Sequence, residues 1–314
     1  MKKYAYGVDI GGTTVKIGFF ETTGKLVDTW EIPTRTENDG ELILPDIAES
    51  IKENNEKKSI TTDDIEGIGM GVPGPVKDDG TVLKCVNLGW GVFNVEKALS
   101  VICGGVKVKA GNDANVAALG EMWQGGGKGY KNLVMVTLGT GVGGGIILNE
   151  KIWTGEQGVG GEIGHIHIRE GEKETCNCGG HGCLEQVASA TGIAREARRK
   201  MAAKPDASVM RAYGDAITAK NVLDAAKAGD ALALEVMDTV CYYLGWALAT
   251  ISMTVDPEIF VIGGGVSKAG TFLTDWIDRY YRELTPISEN KGEVRLATLG
   301  NDAGIYGAAR LILD

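Results

Sequence analysis

The sequence predicts an α/β fold in two related domains. Three features carry that expectation: a Gly/Thr-rich hairpin that occurs twice, a strand–glycine–helix junction late in the chain, and the length. At 314 residues the chain suffices for two domains with a sizeable core.

The segment VDIGGTTVKIGFF (Val8 to Phe20) aligns without a gap on VTLGTGVGGGIIL (Val136 to Leu148). Each reads as an apolar strand, a Gly/Thr turn and a second apolar strand, with a helix-rich segment after it. Glycines at 11, 12, 139, 141, 143, 144 and 145 let backbone N–H groups face an anion, and Thr13, Thr14, Thr137 and Thr140 add hydroxyl donors. Two such hairpins facing one another would hold a polyphosphate between them. Singly, each also reads as an ordinary Gly-rich hairpin; the duplication favours phosphate. Neither a Walker loop nor a GxGxxG opening a helix occurs. The third glycine run, Val261 to Ser267, follows the strand EIFVIG and precedes the helix AGTFLTDWIDRYYREL. Such a junction is a ready anion or nucleotide site, although close strand–helix packing also explains its glycines.

Composition narrows the function class. Hydrophobic content of 43% and charged content of 24% are those of a soluble globular protein. A formal net charge of −10 disfavours nucleic acid and anionic membrane as partners. The one basic cluster, REARRK from Arg195 to Lys200, reads as the solvated face of a helix. The apolar stretch Ala231 to Val255 holds Glu235 and Asp238 and lacks basic flanks, so it reads as a buried or interface helix, not a membrane span. Cys85, Cys103 and Cys241 sit among apolar neighbours and read as core. No signal peptide is visible, and a cytoplasmic protein is expected.

Two segments hold candidate chemistry. In VKVKAGNDANVAALGEMW a strand runs into a helix at Asn112 and Asp113. A carboxylate at a strand's C-terminal end faces the place where α/β sheets bind ligands, and it suits accepting the proton of an attacking alcohol. The competing reading of Asp113 is a helix N-cap. The second segment, GEIGHIHIREGEKETCNCGGHGCLEQ, holds all 3 histidines and Cys176, Cys178 and Cys183. Three thiolates and one imidazole make a closed structural Zn2+ site, and Cys176 and Cys178 are too close for easy pairing as a disulfide. If EIGHIHI is a strand, His165 and His167 share a face, while His181 lies in a Gly-rich turn; composition does not choose among the three. Glu162 and Glu185 flank this loop and suit hydrogen bonding to a polyol.

The motifs DIGGTTVK, GVPGPV from Gly71, NLGW from Asn87, NDAN from Asn112, TLGTGVGGG, GEIGH from Gly161, CNCGGHGCLEQ, DPEIFVIGGGVS and NDAGIYGAA run nearly the whole length. On them the chain resembles the sugar kinases of the ROK family (repressor, open reading frame, kinase), and the bacterial glucokinases most among these. The resemblance implies the two-domain actin-like ATPase (ribonuclease-H-like) fold with an interdomain cleft. Residues 1–111 plus 302–314 would form the small α/β domain, and 112–301 the large one with the zinc loop. Closure of the cleft would exclude water that competes with the sugar hydroxyl. It implies ATP-dependent phosphorylation of a hexose, glucose to glucose 6-phosphate first, with Asp113 as general base. Asn87, Asn112, Glu162, His165 and Glu185 are implied sugar contacts. Asp9 is implied near Mg2+, with Gly11, Gly12, Thr13 and Lys16 near the phosphates. Thr137, Gly139 and Thr140 would hold the phosphates from the other side, and Gly263, Gly264 and Gly265 would lie near the nucleotide. The implied zinc ligands are His165, Cys176, Cys178 and Cys183.

The alternatives within the family are an N-acetylmannosamine, fructose or allose kinase, polyphosphate as donor, and a non-catalytic sugar sensor. Repressors of the family carry a helix-turn-helix ahead of the first hairpin, where this chain has only MKKYAYGV. A homodimer or dimer of dimers is expected, with the apolar helix after Ala231 as a dimer face.

Overall fold

The structure is a computed structural model and describes residues 2–313. The chain forms two compact units. Unit 1 runs through Gly129 and takes in Asn149–Val159 and the segment from Leu299; unit 2 comprises Tyr130–Leu148 and Gly160–Thr298.

In unit 1 the strands β1 (Tyr4–Ile10), β2 (Thr14–Glu21), β3 (Leu26–Pro33) and β4 (Ile65–Val72) precede the two-residue pair β5 (Thr81–Val82) and β6 (Phe93–Asn94) and the strand β7 (Val108–Asn112). The main sheet has the order β3-β2-β1-β4-β7, with β4 and β7 parallel to β1. Helix Ile43–Lys58 covers it with Ile43, Ile47 and Ile51, spaced one turn apart and at most 4% exposed. Helix Asp113–Gln124 packs on helix Ala303–Leu311 at backbone distance: a Cβ at Gly120 would strike the Ala303 carbonyl, and one at Gly307 the Val116 carbonyl. That contact ties Asp113–Gln124 to unit 1, whereas the sequence boundary at 111/112 assigns it to the other domain.

Unit 2 holds β8 (Leu133–Leu138) and β9 (Val142–Leu148). The short β10 (Lys151–Ile152) falls in unit 1, and β11 (Ile259–Gly263) and β12 (Glu293–Leu296) complete unit 2. Its strands run β9-β8-β11-β12, the same order as β2-β1-β4-β7. The duplication is therefore topological as well as local. The turns differ, however. The last pair of the first hairpin is Ile10 with Val15, leaving four residues in the turn; that of the second is Leu138 with Val142, leaving three. An ungapped sequence alignment thus hides a one-residue difference in pairing.

Helix Ala231–Val255 is long and apolar enough to cross a membrane by composition, but Val236, Val240, Leu244 and Leu248 are at most 1% exposed in the core of unit 2. It packs on helix Thr271–Leu284, where a Cβ at Gly245 would strike Tyr280. The basic cluster on helix Ala190–Ala203 departs from the expected solvated face. Arg195 and Arg199 turn toward acidic partners in the segment Glu172–Glu174.

Candidate active site and metal centre

At the carboxyl ends of the parallel strands in unit 1, Asp9 on β1 pairs with Gly71 on β4, and Gly71 with Gly111 on β7. A Cβ at Gly71 would lie 3.4 Å from Asp9 Oδ1 and 3.6 Å from the Asp113 Cα, so both aspartates border this glycine. Helix Asp113–Gln124 starts where β7 ends, and Asn112 is its cap. The Asn112 Oδ1 accepts from the N–H groups of Ala114 and Asn115 at 3.1 and 3.2 Å. Its amide donates to the Gly74 carbonyl at 3.2 Å and to Asp113 Oδ1 at 3.0 Å, fixing the neighbouring carboxylate. The capping role that competes for Asp113 is taken mainly by Asn112.

Asp9 is half-buried. Burial first, then repulsion from Asp113, push its carboxyl up to about 6 against the pull of Lys16. Lys16 stands opposite Asp9 across the hairpin, with its Nζ 2.5 Å from Asp302 Oδ1. A Cβ at Gly304 would strike the Asp9 carboxylate. The segment Asp302–Gly304 therefore touches both charged residues of the hairpin, and Asp302 is a site residue the sequence reading missed. A signal existed: Asn301-Asp302-Ala303 repeats the Asn-Asp-Ala of 112–114. The oxygen donors of Asp9 and Asp113 are of the kind a hard cation such as Mg2+ takes. Asn87 lies exposed on the turn Val86–Leu88, and burial together with the charge of Asp113 raises the thiol of nearby Cys85.

At Gly12 in the first turn, and at Gly139 and Gly265 in unit 2, an added Cβ would meet nothing within 4 Å, and none of the three has positive φ. Neither packing nor conformation requires glycine there, which leaves room for a ligand against bare backbone. Gly264 is different: at φ 83° its Cβ would come within 2.5 Å of the Leu138 backbone. The turn after β11 thus presses on the turn after β8, alongside the pairing of Gly263 with Thr137. Gly139, Thr140 and Gly265 line a cavity of about 510 Å³ with Lys220, Leu223 and Lys227 of helix Ala219–Lys227. No motif marks those three helix residues; only the fold brings them to the glycine turns.

The candidate metal site, by contrast, is local in the chain, within 165–183. One ligand atom each from His165, Cys176, Cys178 and Cys183 lie within 4.8 Å of one another. His165 Nδ1 is 3.7 Å from Cys176 Sγ, and Cys178 Sγ is 3.6 Å from Cys183 Sγ. A tetrahedron with Zn–S bonds of about 2.3 Å has edges of about 3.8 Å, close to these two separations, so this donor set fits Zn2+. The strand expected for EIGHIHI is absent: Ile163–His165 is a 3-10 turn, and His165 and His167 do not share a strand face. His167 Nδ1 instead faces the His181 carbonyl at 2.7 Å, and His181 Nδ1 faces the Glu174 carbonyl at 3.0 Å. His165 Nε2 faces away from the thiols, 4.0 Å from Glu162 Oε2. Glu185 links the cluster to the β8–β9 turn: Oε2 accepts from Val142 N–H at 3.1 Å, and Oε1 lies 3.6 Å from Cys176 Sγ.

An ionic clamp holds the loop on helix Ala190–Ala203. Arg199 makes two contacts of 2.7 and 2.8 Å to Glu172, Arg169 pairs with Glu196 at 2.7 Å, and Arg195 with Glu174 at 2.6 Å. The Glu172 side chain is 2% exposed, and its bond to Arg199 holds the carboxyl down to about 2. A depressed carboxyl stabilises the fold above its ordinary range, and that stability is lost as pH falls from about 4.5 through about 2. Glu172→Gln is therefore expected to cost roughly 3 kcal/mol at pH 7 and to flatten this acid limb. Denaturant unfolding of both proteins across pH 2–7 measures it; equal acid limbs would remove Glu172 from the clamp.

A model of the ROK family matches residues 5–314. The glucokinase of Halalkalibacterium halodurans is 45% identical over 99% of this chain and 95% of its own length. Among solved structures, a ROK family glucokinase from Streptomyces griseus in complex with glucose and AMPPNP superposes with a TM-score of 0.73, at 34% identity and 98% coverage of both chains. A ROK hexokinase from Thermus thermophilus superposes with a TM-score of 0.81, at 30% identity, covering 98% of this chain and 96% of its own.

Proposed function

The chain belongs to the ROK family, and on that premise we propose that it transfers the γ-phosphoryl group of ATP to the 6-hydroxyl of a hexose, with glucose as the preferred acceptor. The observation that carries this reading is the row of Asp9, Gly71 and Asp113 at the ends of three parallel strands. Asp113, oriented by the Asn112 amide, accepts the proton of the attacking hydroxyl. Asn112, Asn87, Glu162, His165 and Glu185 hydrogen-bond the sugar. Gly11, Gly12, Thr13, Lys16, Thr137, Gly139 and Thr140 hold the phosphates, and Gly263, Gly264 and Gly265 border the nucleotide. Mg2+, when bound, neutralises charge on the phosphates, and Asp9 is its proposed holder. His165, Cys176, Cys178 and Cys183 hold a structural Zn2+ whose four ligands leave no open position. Thiolates of this kind stay reduced in the cytoplasm, where we place the protein. Exposed Tyr242, Trp246 and Met253 on helix Ala231–Val255 support a homodimer through that face.

An ADP-release assay with ATP and Mg2+ over glucose, mannose, fructose, allose, N-acetylglucosamine and N-acetylmannosamine tests the acceptor. Glucose is expected to have the highest kcat/KM; an amino sugar above it would overturn the choice of hexose. Gly139→Val fits the open space at that position, and it is expected to raise the KM for ATP by about 10- to 100-fold through lost amide–phosphate bonds. The KM for sugar should stay within about twofold. Equal changes in both constants would remove the phosphate role from this turn.

A further inference from the structure

Unit 1 contains three consecutive residues with left-handed backbone: Asn38 (φ 51°), Asp39 (φ 57°) and Gly40 (φ 66°). Two of them carry side chains, and although Asn and Asp enter that conformation more readily than other non-glycine residues, they do so singly, so two in succession mark a turn that the surroundings select. Here the surroundings are the loop Cys85–Trp90. The buried indole N–H of Trp90 donates to the Gly40 carbonyl at 3.2 Å. A Cβ at Gly89, itself at φ 76°, would come within 2.9 Å of the Asp39 Cα, and one at Gly40 would strike the Leu88 carbonyl. The two segments meet backbone to backbone.

The loop is also closed on itself. Cys85 and Trp90 exchange two backbone hydrogen bonds of 3.0 Å each. Leu88 and Trp90 are 0% and 5% exposed, while Val86 and Asn87 stand out in solvent. Two buried anchors and a closed base thus leave Asn87 on a short, fixed turn.

We propose that Trp90 and the turn Asn38–Gly40 are positioning elements for the sugar: they hold the Cys85–Trp90 loop so that Asn87 meets the hexose in one orientation. The proposal rests on the reading of Asn87 as a sugar contact. It explains why an unusual left-handed turn backs a loop that presents a polar side chain, Asn87, to solvent.

Trp90→Phe keeps the ring and removes the N–H. It is expected to raise the KM for glucose about 5- to 20-fold, the worth of one buried hydrogen bond, with kcat and the KM for ATP within about twofold. In an Asn87→Ala background the same substitution should add less than about twofold, because Trp90 acts through Asn87. Asp39→Gly adopts the left-handed turn freely and should keep the wild-type KM, whereas Asp39→Val should raise it. An unchanged glucose KM in Trp90→Phe, while Asn87→Ala raises it, would overturn the proposal. So would equal effects of Trp90→Phe in both backgrounds. An unchanged KM in Asn87→Ala overturns it through its premise instead, a result distinct from the other two.

Discussion

Asp113→Asn is expected to lower kcat by roughly 10²–10⁴, the usual worth of a general base, while the KM for glucose moves only a few-fold. The size of the side chain is kept, and the helix cap belongs to Asn112, whose Oδ1 accepts from Ala114 and Asn115. The fold should therefore survive the change. What is lost is the capacity to accept a proton beside Asp9 at the ends of β1, β4 and β7. Turnover and glucose binding, measured separately on the same preparation, check this. Near wild-type turnover would leave Asp113 as a first-turn helix residue and nothing more.

The second large effect is expected at the metal loop. The wild-type protein should purify with about one zinc per chain, as a four-ligand closed shell implies. Cys183 is 3% exposed and belongs to the four-residue donor set. Cys183→Ser should lose the metal, raise the KM for glucose about 10- to 100-fold by loosening His165 and Glu185, and lower Tm by roughly 5–10 °C. The protein should remain folded, because the clamp of Glu172, Glu174 and Glu196 with Arg169, Arg195 and Arg199 holds the loop independently of the metal. Elemental analysis and thermal unfolding measure these outcomes. An active wild-type preparation free of zinc, or a disulfide among Cys176, Cys178 and Cys183, would defeat the assignment.

Local patterns were the most legible part of the fold. The glycine turns announce themselves in sequence because residues adjacent in the chain make them. The strand–helix step at Asn112 and Asp113 is legible for the same reason. Pairing register is not: the ungapped repeat conceals turns of four and three residues, since register depends on the partner strand. Among the histidines, spacing alone left three choices. The alternation of EIGHIHI points to a strand, but the segment folds as a 3-10 turn, and His167 and His181 are taken up by backbone carbonyls of the loop. Arg195 and Arg199 misled for a related reason. Their helical spacing says nothing of Glu172 and Glu174, more than twenty positions upstream. Asp302 reaches Lys16 across 286 positions. Contacts of that kind are set by packing, and no local pattern encodes them.

The central claim is phosphoryl transfer from ATP to a hexose hydroxyl, and phosphorus NMR of the reaction mixture tests it most directly. Incubation of the protein with ATP, Mg2+ and glucose should convert the γ-phosphate signal into that of glucose 6-phosphate, with ADP formed in equal amount. The Asp113→Asn protein should do so at least about a hundredfold more slowly. Release of inorganic phosphate without any sugar phosphate, or no consumption of ATP with any sugar of the panel, would contradict the claim.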